Sequence, residues 1–310
     1  MRVFVAGGTG AIGVPLIRSL VGAEHQVTVL TRSPEKQRMI LDLGATPAVA
    51  DALDDITLHT VVKAAHPTHV IHELTALPTG GVRKASQLAP TNRLRIEGTR
   101  NLLNAAIAAG ATRIVVGSFA PVQSFGHDAP RDVRDGVTAV ESMESQTLEA
   151  NRSGHIEGIV LRYGLFYGLG NPATEKMLST VRRRMLPVIR GDHSLLPWIN
   201  IADAVSGTVA ALDHGQPGGV YNIVDDKPAS MTEVVGAMAA YAGARPPWAV
   251  PLWLIEFGAP YLARIMAMRL AISNQKSREE LAWHPLFPTV HDGLAPTDKC
   301  GGNDSAAQPA

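Results

Sequence analysis

The sequence predicts an α/β fold in which helices cover both faces of a doubly wound parallel sheet. Short runs rich in Val and Ile alternate with longer segments of helical periodicity in the first half of the chain. A glycine-rich turn follows the first of these apolar runs. The chain has 310 residues, of which 45% are hydrophobic, so it carries enough apolar material for a sizeable core. Repeated strand–helix–strand units of this kind pair their strands in parallel.

The predicted elements follow one another in a regular order. Each predicted strand is too short and too rich in β-branched residues to be a helix. The strands are predicted at residues 3–6, 27–30, 47–50, 70–72, 114–116, 158–163 and 219–224. Helices are predicted at residues 12–21, 34–43, 56–64, 91–109, 202–212 and 231–242. Pro15 suits the first turn of the first helix, and Gly22, Gly44 and Gly110 are predicted to end helices with positive φ angles.

The turn after the first strand has the spacing of a dinucleotide-binding loop. Its glycines recur at every third position, directly after a strand and before a helix. Residues without a Cβ let the backbone approach a pyrophosphate, and the helix N-terminus supplies N–H groups and a positive dipole end. A plain glycine turn is the alternative. The predicted contacts in this Rossmann-type unit are Gly7, Thr9, Gly10, Ala11, Ile12 and Gly13.

The tip of the second strand predicts the choice of cofactor. A site that selects NAD usually presents an acid there to the ribose 2′-hydroxyl. This chain instead has Arg32 and Ser33, which suit a 2′-phosphate, so NADP is the first choice and NAD stays open. A solvated surface Arg32 is the alternative. Asp51, followed by Ala52 and Leu53, is expected to meet the adenine edge.

Charge and composition exclude several other classes. Lys and Arg together number 28, as do Asp and Glu, and a chain of zero net charge is a poor ligand for nucleic acid. The most membrane-like stretch, residues 252–272, contains Glu256, Arg264 and Arg269, and is a poor spanning helix. Because no signal peptide is recognised, we expect a cytoplasmic protein without a membrane partner. The single cysteine, Cys300, cannot form an internal disulfide.

Several further motifs occur in the order found in one known family. They are the glycine loop, Val70–Ala76, Asn92 with residues 97–103, Arg162 with Tyr167 and Gly168, residues 198–203, residues 219–223 and residues 273–285. Over residues 1–290 the chain resembles the extended short-chain dehydrogenase/reductases, the NAD-dependent epimerase/dehydratase family. The resemblance implies a nicotinamide cofactor, with Thr75 and Ala76 along it and Ser118 near the nicotinamide ribose. It also implies a small-molecule substrate, and leaves a homodimer open.

The resemblance also suggests how the chain is divided. Residues 1–165 are expected to form the dinucleotide-binding domain, with residues 200–225 packing back onto it. Residues 166–295 are expected to form mainly the smaller C-terminal substrate-binding part. The small, polar residues 296–310 are predicted to be a disordered tail.

The usual catalytic pair of this family is missing from the sequence. Ordinary members use Tyr-x-x-x-Lys and an upstream Ser or Thr, in which the tyrosine passes a proton and the lysine lowers its pKa. The chain has five tyrosines, and none has a lysine four residues later. Our alignment puts Met143 in the tyrosine position, Thr147 in the lysine position and Ala120 in the hydroxyl position. The usual mechanism is therefore excluded unless other groups replace these three.

Few side chains are candidates to replace them. Ser118 and Tyr163 are the catalytic candidates, although Ser118 also suits a cofactor contact and Tyr163 also suits packing. His127 and Asp128 follow the fifth strand, where a solvated loop is the simpler interpretation. We expect no metal, because His66, His69 and His72 straddle a helix–strand junction. The residues expected to line the substrate cleft are Phe119, Met143 and Trp198.

Three functions remain open from the sequence. The first is an NAD(P)-dependent oxidoreductase that acts on a small, fairly apolar molecule through non-standard catalytic groups. The second is an enzyme of the same fold recruited for oxidative, monooxygenase-like tailoring of an aromatic natural product. The third is a non-catalytic NADP(H)-binding sensor. Oxygen consumption separates the second from the first, and absence of cofactor turnover indicates the third.

Overall fold

A parallel sheet forms the centre of the computed structural model, which describes residues 1–78, 82, 84–121, 131–258, 260, 263, 264 and 267–295. The strands that form it are β1 Arg2–Ala6, β2 Gln26–Thr31, β3 Thr46–Val49, β4 His69–His72, β5 Arg113–Phe119, β6 Glu157–Tyr163 and β10 Val220–Ile223. Seven strands pair in the order β10-β6-β5-β4-β1-β2-β3, and every pairing in this sheet is parallel. The predicted fold class is confirmed.

Helices cover both faces of this sheet and continue into the second half of the chain. Their bounds are α1 Gly13–Gly22, α2 Gln37–Asp42, α3 Asp55–Ala65, α4 Ala89–Arg93, α5 Thr99–Ala108, α6 Arg131–Arg152, α7 Pro172–Arg182, α8 Ile201–His214, α9 Met231–Tyr241, α10 Leu252–Gly258, α11 Gln275–Glu280 and α12 Val290–Gly293. Short 3₁₀ turns cover Pro34–Lys36 and Ala85–Leu88. The segment 91–109 predicted as one helix is instead α4, a π-helical turn at Leu94–Gly98, and α5.

Glycines end two of the predicted helices in the expected way, and a third helix ends differently. Gly44 and Gly110 have φ angles of +81° and +76°. Gly22 is instead the last residue of α1, and the left-handed conformation falls two residues later, at Glu24, with a φ of +60°. The prediction that Gly22 ends the helix with a positive φ is wrong, because α1 continues one residue beyond the predicted end at residue 21.

The two faces of the sheet bury separate hydrophobic cores, because successive side chains of a strand point to opposite sides. Val115 packs with the α1 and α8 residues Leu16 and Val205. Its neighbour Val116 packs on the other face with Leu102 of α5 and with α6. The segment from α8 to β10 thus lies on this sheet, and Trp283 completes the first core.

The second half of the chain adds two small sheets and a third core. In these sheets, β7 Leu165–Tyr167 pairs with β9 Trp198–Asn200, and β8 Val188–Ile189 pairs with β11 Ala249–Val250. α10 buries none of its side chains, and its Trp253 and Phe257 are 63% and 93% exposed. None of the helices in the described ranges has the length and apolar character that a membrane crossing requires.

Candidate active site

The carboxyl ends of β1 and β4 lie side by side at the point where the strand order reverses. From β1 the chain continues through β2 and β3 on one side of the sheet, and β4, β5 and β6 extend on the other. Ala6 and His72, the last residues of β1 and β4, are paired. Open α/β sheets bind their ligands in the crevice outside such a reversal.

The glycine loop lies in this crevice and leaves no room for side chains at two of its three positions. Gly7 has a φ of +96°, and a Cβ there would overlap the backbone carbonyl of Glu73. A Cβ on Gly13 would overlap the backbone of Gly8, so α1 can begin directly against the loop only with glycine here. The Gly10 amide donates to the Gly7 carbonyl at 3.0 Å, which closes the turn. A backbone without side chains at these positions, next to a helix N-terminus, fits a pyrophosphate.

The tip of β2 carries cations beside that loop. Arg32 is exposed, and Lys36 places its Nζ 3.2 Å from the Thr9 hydroxyl. The Ser33 hydroxyl also bonds to the carboxylate of Glu35. The pKa of Glu35 is lowered mainly by a bond from a backbone N–H and further by this bond from Ser33. Lys36 was not predicted from the sequence. The signal for it was that a second cation follows Arg32 after four residues.

Hydrogen bonds to neighbouring groups hold the residues predicted to meet the adenine edge. The Leu53 amide donates to Asp51 Oδ1 at 2.9 Å, which satisfies one oxygen of that carboxylate. Asn101 of α5 donates its side-chain amide to the Ala52 carbonyl at 3.0 Å. After β4, Thr75 is exposed and the Ala76 amide donates to the hydroxyl of Thr91 in α4 at 3.0 Å. Contact of these residues with a cofactor stays a prediction.

The three histidines spaced by three residues lie in unlike surroundings. His72 is buried, accepts from the Leu74 amide on Nδ1 at 3.2 Å and bonds through Nε2 to the Thr99 hydroxyl at 2.9 Å. Burial lowers the pKa of His72 to about 4, so the ring is neutral. His69 bonds to Thr68, and His66 ends α3 with a φ of +46°. No three acidic, histidine or cysteine side chains of the described ranges are placed to share a metal.

A partly buried ion pair joins α6 to β6, and Ser118 of β5 bonds to it. Arg162 donates from Nε to one oxygen of Glu144 at 2.9 Å and from Nη2 to the other at 2.6 Å. Ser118, the catalytic candidate at the end of β5, donates to the same carboxylate at 2.5 Å. The Ser118 hydroxyl is therefore already committed to a partner, and it is 8% exposed. Glu144 was not recognised from the sequence.

The positions aligned with the missing tyrosine and lysine lie in the protein core. Met143 is 1% exposed and packs with Leu102 and Val116. Thr147 is fully buried, donates to the Met143 carbonyl at 2.9 Å and lies against Gly158 near the start of β6, which is the wrong edge of the sheet for a cofactor. The expectation that Met143 lines a cleft is wrong, because α6 turns this residue toward the sheet.

The other residues expected to line the cleft or to replace the missing pair lie in different parts of the structure. Phe119 is half-buried at the end of β5. Trp198 is 4% exposed, donates from Nε1 to the Ala229 carbonyl at 2.9 Å and belongs to the core of the C-terminal part, so it is not a cleft residue. His127 and Asp128 lie outside the described residues, as do residues 296–310.

Tyr163 ends β6 and forms a second polar group with a glutamate that the sequence reasoning passed over. Its hydroxyl lies 2.9 Å from Glu73 Oε1 and 2.7 Å from Thr208 Oγ1. Burial, and then the Glu73 charge, raise the pKa of Tyr163 well above its usual value. Tyr163 is 3% exposed, so as it stands it is a poor proton donor to a ligand. An acid directly after a buried strand was the signal for Glu73.

Comparison with known proteins agrees with this architecture. The model of the NAD-dependent epimerase/dehydratase family matches residues 3–224. The chain belongs to this family. It is therefore an enzyme of the extended short-chain dehydrogenase/reductase type, whose members use a nicotinamide cofactor on small molecules.

Individual members of the family show different chemistries. A Streptomyces protein named 3-diazoavenalumate denitrifying reductase is 34% identical over 316 residues, covering 95% of this chain and 99% of its own. A Stigmatella aurantiaca ketoreductase named for a 4-hydroxy-2-methyl-3-oxo-4-farnesyl-3,4-dihydroquinoline-1-oxide is 26% identical, covering 74% of this chain and 70% of its own. The UDP-glucose 4-epimerase of Thermus thermophilus, solved with NAD, shares the fold with a TM-score of 0.76 at 20% identity, covering 95% and 96% of the two chains.

Proposed function

We propose that this enzyme is an NADP(H)-dependent reductase that replaces a diazo group of a small aromatic molecule with hydrogen and releases N₂. The observation that carries the proposal is the absence of a tyrosine–lysine pair, together with the 34% identity to a denitrifying reductase. Both hydroxyl candidates are bonded to carboxyl groups of the protein instead, Ser118 to Glu144 and Tyr163 to Glu73.

The proposed reaction needs no tyrosine acid. A carbonyl takes up a proton on oxygen as hydride reaches its carbon, and that proton is what a positioned tyrosine delivers. An aryl diazonium ion and one hydride give an arene and N₂: a carbon–hydrogen bond forms, and the carbon–nitrogen bond breaks with its electron pair on nitrogen. Because neutral N₂ leaves, no oxygen has to be protonated.

Named residues of this chain fit the cofactor. The glycine loop and the N-terminus of α1 would hold the pyrophosphate, and Arg32 with Lys36 would hold the 2′-phosphate of NADP. When bound, the reduced nicotinamide would supply the hydride. Phe119 would contribute an apolar wall near the end of β5, and the part from residue 166 onward would supply the rest of the substrate site.

The test is a labelled turnover experiment. The purified protein is given 3-diazoavenalumate, the substrate named for the Streptomyces relative, and NADPH carrying deuterium on either transferable position in turn. We expect N₂ release equal to the NADPH consumed. One of the two labelled cofactors, and not the other, should place one deuterium on the carbon that carried the diazo group, as detected by mass spectrometry. The Gly10→Asp variant is the matched control, because it measures the reaction of NADPH with the diazo compound in solution.

Other outcomes would decide against this function. Equal rates with the wild type and Gly10→Asp would mean that the protein does not catalyse the reaction. Reduction of ketones without N₂ release would indicate an ordinary reductase. Oxygen consumption would indicate oxidative tailoring, and cofactor binding without turnover of any of these substrates would favour a sensor.

A further inference from the structure

Glu73 lies where the carboxyl ends of β1 and β4 meet. Its amide donates to the Ala6 carbonyl at 2.7 Å, and its own carbonyl packs against Gly7 of the cofactor loop. Its carboxyl group lies so close to Gly117 that any side chain there would overlap it. Glu73 thus lies between the glycine loop and the end of β5, at the crevice where this fold binds its ligands.

The hydrogen bonds of Glu73 suit both charge states of its carboxyl group. The Tyr163 hydroxyl lies 2.9 Å from the carboxyl and 2.7 Å from the Thr208 hydroxyl, which donates to the Ala204 carbonyl at 2.7 Å. Each hydroxyl has one hydrogen. An ionised Glu73 accepts the hydrogen of Tyr163. A neutral Glu73 donates its own hydrogen to Tyr163, whose hydrogen then turns to Thr208.

The surroundings of Glu73 offer no cation among the described residues to balance its charge. Tyr163 faces it from β6, Thr208 lies behind Tyr163 on α8, and Gly117 of β5 lies directly against its carboxyl group. The preceding His72 is neutral and bonds to Thr99. Burial raises the pKa of Glu73 to about 8, and the bond from Tyr163 offsets this only in part. This raised pKa favours the neutral form of Glu73 in the free protein at pH 7.

We propose that Glu73 compensates the positive charge of the oxidised nicotinamide, releasing its proton to solvent when NADP⁺ binds and keeping it when NADPH binds. The inference rests on the proposed cofactor site and is independent of the proposed substrate. When Glu73 ionises, the Tyr163 hydroxyl turns its hydrogen from Thr208 back to the carboxylate, so the new charge keeps a hydrogen-bond donor. A nearby cation lowers the pKa of a carboxyl group by about 1–3 units, so the effect is measurable.

The experiment measures cofactor affinity against pH without any substrate. Dissociation constants of NADP⁺ and NADPH are determined by calorimetry from pH 6 to pH 9 in buffers of different ionisation enthalpy. The 2′-phosphate is common to both cofactors, so its titration cancels in their ratio. We expect NADP⁺ to gain about tenfold or more over NADPH as the pH rises through this range, with one proton released on NADP⁺ binding near pH 7.

Two variants show whether Glu73 is the group responsible. Glu73→Gln keeps the shape and cannot ionise, so the ratio of the two affinities should no longer vary with pH, while NADPH still binds. Tyr163→Phe removes a bond that favours the ionised carboxylate, so proton release should persist and move to higher pH. Thermal unfolding of each variant confirms that the fold is kept.

The results separate this inference from the cofactor assignment. Equal proton release with NADP⁺ and NADPH, or an unchanged pH dependence in Glu73→Gln, would overturn the role of Glu73 alone. If neither cofactor binds the wild type, the proposed cofactor site itself is wrong, and the inference is overturned with it.

Discussion

Gly7 and Gly10 differ in what a side chain would meet, although both belong to the same loop. Gly7 has a positive φ and a neighbouring carbonyl where a Cβ would lie. At Gly10 the nearest atom to a Cβ is the Gly7 carbonyl oxygen at 3.2 Å, a tight contact that a small shift relieves. One substitution therefore disturbs the fold, and the other disturbs only what binds to the loop.

This difference gives the first prediction. Gly10→Asp should abolish NADP(H) binding in calorimetry, because its carboxylate would face the pyrophosphate, while the melting temperature stays close to that of the wild type. Gly7→Ala should instead lower the free energy of unfolding by about 2 kcal/mol, owing to the left-handed backbone and the overlap with Glu73. Normal cofactor affinity in Gly10→Asp would refute the assignment of this loop.

The second prediction concerns cofactor selection at the tip of β2. Arg32→Ala and Lys36→Ala should each weaken NADP(H) binding by about tenfold or more and leave NAD(H) nearly unchanged, because each removes a charge-assisted bond to the 2′-phosphate. Arg38→Ala is the matched control, since the Arg38 side chain is 86% exposed and pairs with Asp42. Equal losses for both cofactors would show that these cations do not contact the phosphate.

At the scale of the element, α6 packs against the sheet through Met143, Glu144 and Thr147. Met143 and Glu144 both face the sheet, one in a hydrophobic core and the other in an ion pair with Arg162. Placing tyrosine and lysine at residues 143 and 147 would therefore bury both groups rather than restore a reductase.

The third prediction tests the buried position of Met143. Met143→Ala should lower the free energy of unfolding by about 2–4 kcal/mol through the cavity it leaves, with cofactor affinity retained. Met185→Ala, at a methionine that is 67% exposed, should change stability by less than about 0.5 kcal/mol. Urea unfolding measures both changes. A Met143→Ala protein of unchanged stability and altered substrate preference would show that Met143 lines the substrate cleft after all.

The fourth prediction concerns the ion pair that links α6 to β6. Glu144→Ala should destabilise the protein by about 2–4 kcal/mol, since it leaves the Arg162 guanidinium partly buried without its carboxylate. Glu149→Ala removes an exposed ion pair with Arg152 on the same helix and should cost about 1 kcal/mol or less. Equal effects of the two substitutions would mean that the buried pair contributes no more than a surface pair.

The elements were predictable where local pattern decides them, and the site was predictable only in part. Apolar periodicity and turn residues locate the strands and the glycine loop because each depends on neighbours in sequence. The phase of α6 was misjudged, since the sequence of residues 122–130 has no pattern that fixes the alignment. Lys36 meets Thr9, and Glu73 meets Tyr163, through contacts between distant segments that only the folded sheet brings together.

For the whole molecule, carboxyl groups with raised pKa values are expected to make stability decrease as the pH rises. Burial raises the pKa of Glu73 to about 8 and that of Asp225 to about 7. Between the unfolded and folded values the folded chain holds more protons than the unfolded chain, so stability decreases as the pH rises through that interval. The lowered pKa of His72, about 4 in the folded protein, makes stability increase with pH instead. This increase ends near the unfolded pKa of 6.5, so it does not affect the interval above pH 6.5.

The fifth prediction follows for the interval from pH 6.5 to pH 8. The free energy of unfolding should fall by about 1–2 kcal/mol over this interval, and urea unfolding at several pH values measures it. Glu73→Gln should remove much of the decrease because it cannot ionise. A flat profile in the wild type would show that Glu73 is already ionised at neutral pH.

The unequal exposure of the tryptophans gives the protein built-in optical reporters. Trp198 and Trp283 are each 4% exposed, whereas Trp248 and Trp253 are 53% and 63% exposed, the last on α10. Acrylamide should quench the exposed pair in the native protein and reach the buried pair only on unfolding. A blue shift of the quenchable emission on adding substrate would locate binding near Trp248 or Trp253, and Trp253→Phe would tell the two apart. Energy transfer to bound NADPH would follow the cofactor in the same sample.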